Sequence, residues 1–260
     1  MTVSERLVPS PEGDHTLIVI PTYNEMETLP EILTQVWAYV PRAHILIVDD
    51  SSPDGTGEWV DSRRACEERL HILHRPAKSG LATAYVDGMG WGIDRGYPFI
   101  LQMDADGSHR PADLPKLLSR IAGPDRPDLV IGSRWVPGGR INGWSHKRVA
   151  LSKAGNYYVR FCLGTPVKDA TAGLRLHRAA FLANNEVLGR VATTGFGFQV
   201  EMTELERSLG ATIAEVPITF DERIAGESKL DSSIFVEELI MVTKGGLGRL
   251  TQAARRVLSK

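Results

Sequence analysis

Short apolar runs at residues 17–20, 45–48, 70–74, 99–103 and 129–131 recur along the first half of the chain, each bounded by polar or turn residues. Runs of this length suit strands buried on both faces, the situation of a parallel sheet. Between them, residues 29–40, 56–69 and 81–95 have helical length and composition, and Leu81, Ala84, Tyr85, Gly88 and Trp91 or Gly92 fall near one helical face. This alternation predicts an α/β fold with a mostly parallel central sheet flanked by helices.

The rhythm changes after about Ser133, where Pro137, Gly138, Gly139 and Gly143 precede an expected helix over 146–163. Residues 1–14 are polar, carry Pro9, Pro11 and Gly13, and lack the apolar centre of a signal peptide, so a flexible tail is expected there. Residues 15–231 are expected to form one catalytic domain, and residues 232–260 an amphipathic helical segment interrupted at Gly245 and Gly246. The apolar runs are strand-length, far below the roughly 18 residues of a spanning helix, so the chain is not expected to cross a membrane.

Composition matters here mainly through charge. Thirty Lys and Arg against 32 Asp and Glu leave a net charge of −2 over 260 residues, which excludes a bulk nucleic-acid binder. The two cysteines, Cys66 and Cys162, form neither a disulfide framework nor a metal cluster, and a reducing cytosol fits them. The signal is local: no acid occurs between Asp128 and Asp169, while Arg134, Arg140, Lys147, Arg148, Lys153, Arg160 and Lys168 all fall between them. Trp135, Trp144, Tyr157, Tyr158 and Phe161 share that stretch, a mixture suited to a lipid headgroup layer. A lipid-linked anion is expected there, the alternative being a solvated basic face. After Glu238 the chain again lacks acids, and Lys244, Arg249, Arg255, Arg256 and Lys260 alternate with apolar residues. This segment would lie on an anionic bilayer or pack its apolar stripe on the domain.

Ligands of open α/β sheets sit beyond the carboxyl ends of the strands. The first run leads into Pro21-Thr-Tyr-Asn-Glu25, the second into Asp49-Asp-Ser-Ser-Pro-Asp-Gly55 and the fourth into Asp104-Ala-Asp106, so three acidic clusters converge on one edge. Asp104 and Asp106 are separated by one residue, and alternate residues of an extended chain point the same way. Paired hard-oxygen ligands of this kind suit Mg²⁺ or Mn²⁺ with substrate phosphates completing the shell. No P-loop, zinc-protease His-Glu-x-x-His or Gly-x-Ser-x-Gly element is present, and Gly88-Met-Gly-Trp-Gly92 lies inside a helical pattern, not after a strand.

Taken in order, these motifs resemble the polyprenol (dolichol) phosphate mannosyltransferases of the glycosyltransferase A fold. The similarity runs from about Leu17 to Gly246 and includes Gly80-Leu-Ala-Thr-Ala-Tyr85, Gly132-Ser-Arg134 and Asp221-Glu-Arg223-Ile-Ala-Gly226-Glu-Ser-Lys229. The resemblance implies that Pro21, Tyr23, Glu25, Val48 and Asp50 hold the nucleoside of GDP-mannose. It implies that Asp104, Ala105 and Asp106 meet the diphosphate through Mg²⁺ or Mn²⁺, with the metal on Asp104 and Asp106. Arg223 and Lys229 would close over the diphosphate, and Arg134 and Arg148 would bind the acceptor phosphate. Ser108 stands where the family can place a further metal ligand, and Asp169 is implied as an orienting group or a structural cap.

The activity so implied is inverting, metal-dependent transfer of mannose from GDP-mannose to a polyprenyl phosphate, with Asp104, Asp106 and Arg134 catalytic. A chain without an anchor would meet its acceptor as a cytoplasmic protein held peripherally on a membrane surface or on an integral-membrane partner. The alternatives are a UDP-sugar-dependent polyprenyl-phosphate glycosyltransferase and a noncatalytic nucleotide-sugar-binding subunit. A processive synthase is set aside, since Arg134-Trp135 lacks the Gln of Gln-x-x-Arg-Trp.

Overall fold

The structure is a computed structural model, and it describes residues 8–193, 195, 197–223 and 243. Its strands are β1 (Thr16–Thr22), β2 (His44–Asp49), β3 (Leu70–His74), β4 (Phe99–Gln102), β5 (Leu129–Ser133), β6 (Arg140–Ile141), β7 (Arg175–Arg178), β8 (Ile213–Pro217) and β9 (Thr219–Phe220). Its helices are α1 (Leu29–Tyr39), α2 (Thr56–Arg64), α3 (Leu81–Asp94), α4 (Leu114–Ile121), α5 (His146–Leu163), α6 (Ala179–Asn184) and α7 (Phe198–Ser208).

Seven strands form one sheet in the order β3-β2-β1-β4-β7-β5-β8, and β6 pairs with β9 beside it. All neighbours in the large sheet are parallel except β7, which runs antiparallel to both β4 and β5. The expected α/β architecture with a mostly parallel, helix-flanked sheet is therefore the observed one.

Side chains alternate across each strand, so the apolar runs feed two cores. Ile18, Ile20, Ile45, Ile47 and Leu101 face α1 and α4, whereas Leu17, Val19, Leu46, Val48 and Ile100 face α3, α6 and α7. The glycines of α3 belong to this packing. A Cβ at Gly92 would lie 2.7 Å from Leu17, and one at Gly88 would overlap Val19, so α3 settles unusually deep on β1. Of the face expected on α3, Ala84, Tyr85, Gly88 and Gly92 are buried, and Leu81 and Trp91 lie at its margin.

Most strands run one or two residues beyond the apolar runs, α1 and α3 each end one residue early, and three further differences stand out. Helix α2 stops at Arg64 because Glu67 takes hydrogen bonds from the Arg69 amide and guanidinium and turns the chain into β3. The fourth strand ends at Gln102, one residue early. The expected tail is fastened over its last residues: Pro9 and Gly13 are buried, a Cβ at Gly13 would lie 2.8 Å from that of Ala43, and Asp14 pairs with Arg42 at 3.1 Å. The helix expected over 146–163 is α5, capped at its start by the Ser145 hydroxyl. The amphipathic segment at 232–260 lies outside the described residues apart from Thr243, as does Lys229.

Candidate active site

Strands β1, β2 and β4 are parallel neighbours, so the segments that follow them emerge on one edge of the sheet. The chain winds from β1 through β2 to β3 and then returns to the other side of β1 as β4, which makes the β1–β4 junction the switch point where such sheets bind ligands. The convergence of the three acidic clusters is thus built into the topology.

The two aspartates after β2 have separate surroundings. Asp49 accepts hydrogen bonds from the Thr22 hydroxyl at 2.9 Å, the Ser52 hydroxyl at 2.6 Å and the Ser52 amide at 3.0 Å, which ties the loop to β1. Asp50 accepts from Arg75 Nη1 at 2.6 Å. Burial pushes the Asp50 carboxyl above its usual range, against the pull of Arg75 and the Ser79 amide. Arg75 also meets Asp87 at 3.0 Å and donates to Thr83 at 2.7 Å. It follows directly on β3, the one strand end in this group that no acidic cluster marks, and its only sequence signal was that position.

Tyr23 carries the Lys78 ammonium 3.8 Å above its ring centroid. The Glu25 amide donates to Thr56, and the Glu25 carboxylate receives the Thr28 hydroxyl at 3.3 Å. Asp54 braces the same turn: burial would raise its carboxyl, but hydrogen bonds from Thr56 and the Met26 amide bring it below the usual range. Pro21 pairs in register with Val48, whose side chain is wholly buried against α3. Any ligand contact of Val48 is therefore made by its backbone. Ala105 is likewise buried, and its carbonyl accepts the Thr28 hydroxyl at 2.7 Å.

Asp104 is held on three sides. The phenol of buried Tyr85 donates to Oδ1 at 2.7 Å, Gly173 has no Cβ to crowd Oδ2, and the Asp104 amide donates to His109 Nδ1 at 3.2 Å. Burial, followed by the negative charge of Asp104, drives the Tyr85 phenol well above its ordinary value, so it stays a donor. Asp106 Oδ1 takes the Ser108 amide at 3.0 Å and hydroxyl at 2.5 Å, and Oδ2 meets Arg223 Nε at 2.7 Å. Ser108 thus spends its hydroxyl on Asp106. Tyr85 sat in the helical pattern as a core aromatic, and His109 closed the motif Met103-Asp-Ala-Asp-Gly-Ser-His109 of the resemblance without a role of its own.

The donor set fits a hard divalent cation. Asp104 Oδ2 makes no hydrogen bond, Asp106 Oδ2 is engaged only by Arg223, and no third His, Cys, Asp or Glu joins them among the described residues. Two carboxylates leave most of an octahedral shell to water and substrate phosphates, as Mg²⁺ and Mn²⁺ prefer.

Beyond β5, Arg134 donates from its amide and Nε to Asp169 Oδ2, each at 2.8 Å, and from Nη2 to Asp169 Oδ1 at 2.6 Å and Thr171 at 2.8 Å. Asp169 therefore orients Arg134. The guanidinium lies 5.3 Å from the Phe220 ring centroid and 5.6 Å from that of Trp144. Arg148, in the first turn of α5, lies 4.0 Å over the same Trp144 and 3.6 Å from Glu222. Burial lowers the Arg148 guanidinium; Glu222 opposes this, and the charges of Arg223, Arg134 and Asp106 are also felt there. Sequence-predicted residues from both sides thus come together: Arg134 and Arg148 share the Trp144 ring, and the adjacent Glu222 and Arg223 reach Arg148 at 3.6 Å and Asp106 at 2.7 Å. Lys229 is not among the described residues.

Comparison with known proteins agrees with this architecture. An undecaprenyl-phosphate mannosyltransferase of Micrococcus luteus is 47% identical over 239 residues, 92% of this chain and 97% of the relative. A polyprenol monophosphomannose synthase of Mycolicibacterium smegmatis is 45% identical over 241 residues, 92% of this chain and 89% of the relative. Among solved structures, a mannosyltransferase from Pyrobaculum calidifontis in complex with GDP-Man and Mn²⁺ shares the fold, with a TM-score of 0.57 at 15% identity over 95% of this chain and 67% of that one. Residues 17–184 match the glycosyl transferase family 2 description. The chain belongs to glycosyl transferase family 2 and, within it, to the polyprenyl-phosphate mannosyltransferases.

Proposed function

We propose that this protein transfers mannose from GDP-mannose to a polyprenyl phosphate, with inversion at the anomeric carbon and with Mg²⁺ or Mn²⁺ bound. The observation that carries the proposal is the meeting of two unlike surfaces, a carboxylate-lined switch point and an arginine basin, at adjacent residues: Arg223 reaches Asp106 at 2.7 Å and Glu222 reaches Arg148 at 3.6 Å. The names of the two relatives above 40% identity support the sugar and the acceptor.

On the donor side, Pro21, Tyr23, Glu25, Asp50 and the Val48 backbone take the nucleoside, with Asp50 and Glu25 as hydrogen-bond acceptors. Asp104 and Asp106 hold the cation, which when bound neutralises charge on the diphosphate as the sugar bond breaks. Arg223 and Lys229 bind the diphosphate itself. On the acceptor side, Arg134 and Arg148 grip the lipid phosphate.

Bringing two phosphates together opposes like charges, and at about 4 Å and an effective dielectric of about 20 each unit pair costs roughly 4 kcal/mol. Fixed cations offset this, so electrostatic clamping is the main catalytic task. A phosphate monoester has its second pKa near about 6, so its oxygen is already anionic near neutral pH. That oxygen attacks the anomeric carbon opposite the leaving group, GDP departs with the bonding electron pair, and no proton needs to be removed.

The membrane side follows from α5, which exposes Leu151, Tyr157 and Phe161 beside the cations of the acid-free stretch. Among the described residues no helix is long and apolar enough to cross a membrane. Peripheral attachment at the cytoplasmic face, directly or through an integral-membrane partner, brings the basin to the lipid phosphate. The deciding experiment is labelled-sugar transfer into an organic-extractable product from GDP-mannose, with and without EDTA, and from UDP-glucose in parallel. Mannose transfer abolished by EDTA is expected. Glucose transfer alone would move the proposal to a UDP-sugar enzyme, and binding of donor without any transfer would favour a noncatalytic subunit.

A further inference from the structure

Two tryptophans in the arginine basin, Trp135 and Trp144, hold buried indole N–H groups that have no hydrogen-bond partner among the described residues. Most other unpartnered buried side-chain atoms, those of Gln102, His177, Gln199 and Glu206, belong to β4, β7 and α7 inside the domain. A buried donor without an acceptor forfeits its hydration without return, so such groups are rare and point to a missing partner. An indole N–H can only donate, so the partner must be an acceptor.

Trp144 has the more telling position. Its ring lies under Arg148 at 4.0 Å, stands 5.6 Å from the Arg134 guanidinium, and packs edge-on against Phe220 at 5.5 Å. It therefore forms the floor between two cations. Arg134 spends Nε and Nη2 on Asp169 and Thr171, while its Nη1 makes no hydrogen bond among the described residues. Arg148 is held by Glu222 only at 3.6 Å, so an anion entering beside it breaks no buried bond. Two cations, a spare guanidinium N–H and an orphaned indole N–H together form a receptor for a tetrahedral oxyanion with acceptor sites on several sides.

We propose that Trp144 is a binding residue for the acceptor, its indole N–H donating to a phosphate monoester oxygen that also meets Arg134 and Arg148. This rests on the assignment of the basin to the acceptor in the proposed function. It adds a neutral, directional donor to the charge clamp. A charge clamp alone would accept any anion, whereas a fixed N–H selects for an oxygen at one place.

The test is Trp144→Phe, which keeps the ring over which Arg148 lies and the contact with Phe220 but removes the N–H. Binding of farnesyl phosphate, followed by titration calorimetry, is expected to weaken by about tenfold or more, the range for a hydrogen bond to a charged group. Affinity for GDP with Mn²⁺ is expected to stay unchanged, which separates the acceptor phosphate from the donor's. Inorganic phosphate is the third arm: an equal loss there would show that the N–H reads the phosphate without the prenyl chain. In the wild type labelled with ¹⁵N-tryptophan, one of the five indole signals should move downfield on adding farnesyl phosphate and be missing from the variant. The wild-type half of this readout needs no variant, since indole signals that all stay in place on ligand binding overturn the inference by themselves. Unchanged farnesyl phosphate affinity in a folded variant, or no indole signal moving in a wild type that binds the ligand, overturns the inference. Wild type that binds GDP but no prenyl phosphate overturns the basin assignment itself.

Discussion

Arg134 and Arg223 each meet an aspartate across the site, and the two pairs are built in opposite ways. Arg134 is clamped by Asp169 through its amide, Nε and Nη2, with side chains 7% and 0% exposed. Arg223 touches Asp106 through Nε alone, with side chains 29% and 11% exposed. The first pair is a fixture: the carboxylate serves the arginine, and separating them would strand a charge in the interior. The second is open to exchange: if Asp106 held a divalent cation as proposed, that carboxylate would be shared and the Arg223 guanidinium would be available to another anion. Under the proposed function the acceptor's cation is set in place beforehand, and the donor's cation is released by the metal that accompanies the donor.

Asp169→Asn tests the fixture most severely. Breaking a buried pair costs about 3–5 kcal/mol, to be measured by urea unfolding, and mannose transfer should fall with it. A loss below about 1 kcal/mol would show the pair to be dispensable. Arg223→Gln should behave differently, with stability changed by no more than about 1 kcal/mol. Its Mn²⁺ affinity without nucleotide, followed by electron paramagnetic resonance, should rise while the KM for GDP-mannose rises by about tenfold, as for one lost charged hydrogen bond. Weaker Mn²⁺ binding in that variant would mean that Arg223 supports the carboxylate and does not compete for it.

A third pair, Arg75–Asp50, lies between these extremes, buried on both sides but with Arg75 shared with Asp87. Burial raises the Asp50 carboxyl, so on acidification it loses its charge at higher pH than an ordinary carboxylate near about 3.9. If the ionised Asp50 accepts from the nucleoside as proposed, KM for the donor should climb severalfold as pH falls and Asp50 gains its proton. Asp50→Asn should flatten the profile. The smallest effect belongs to the exposed Arg110–Asp221 pair, where Arg110→Ala should cost about 0.2–1 kcal/mol and fade in high salt.

Much of this architecture was legible because its signals are local. Apolar runs of strand length announced β1 to β5, and the acids after them marked the edge on which β1, β2 and β4 end. The basic, aromatic stretch also declared itself, since an absence of acids over 40 positions is visible without a fold. What escaped were residues whose meaning depends on a distant partner. Arg175 and His177 sit on β7, fully buried, yet a strand with an Arg and a His at alternate positions does not look like the interior of a sheet. Arg175 is tolerated because Ala170, Ala172 and Thr203 receive its donors, and burial lowers its guanidinium to about 10. Tyr85 was legible as a packed residue but not as the donor to Asp104, 19 positions away. Asp49 and Asp50 were separated in the sequence only by the resemblance, and the partners offered by Thr22, Ser52 and Arg75 supply the physical difference.

The glycines of α3 reach further than packing. They act as a depth gauge: by letting the helix sink onto β1 they also set how far the Tyr85 phenol extends toward the strand ends. A methyl group at position 88 would lift the helix and withdraw that phenol from Asp104, so the aim of a carboxylate in the site is governed by atoms missing one turn along the helix.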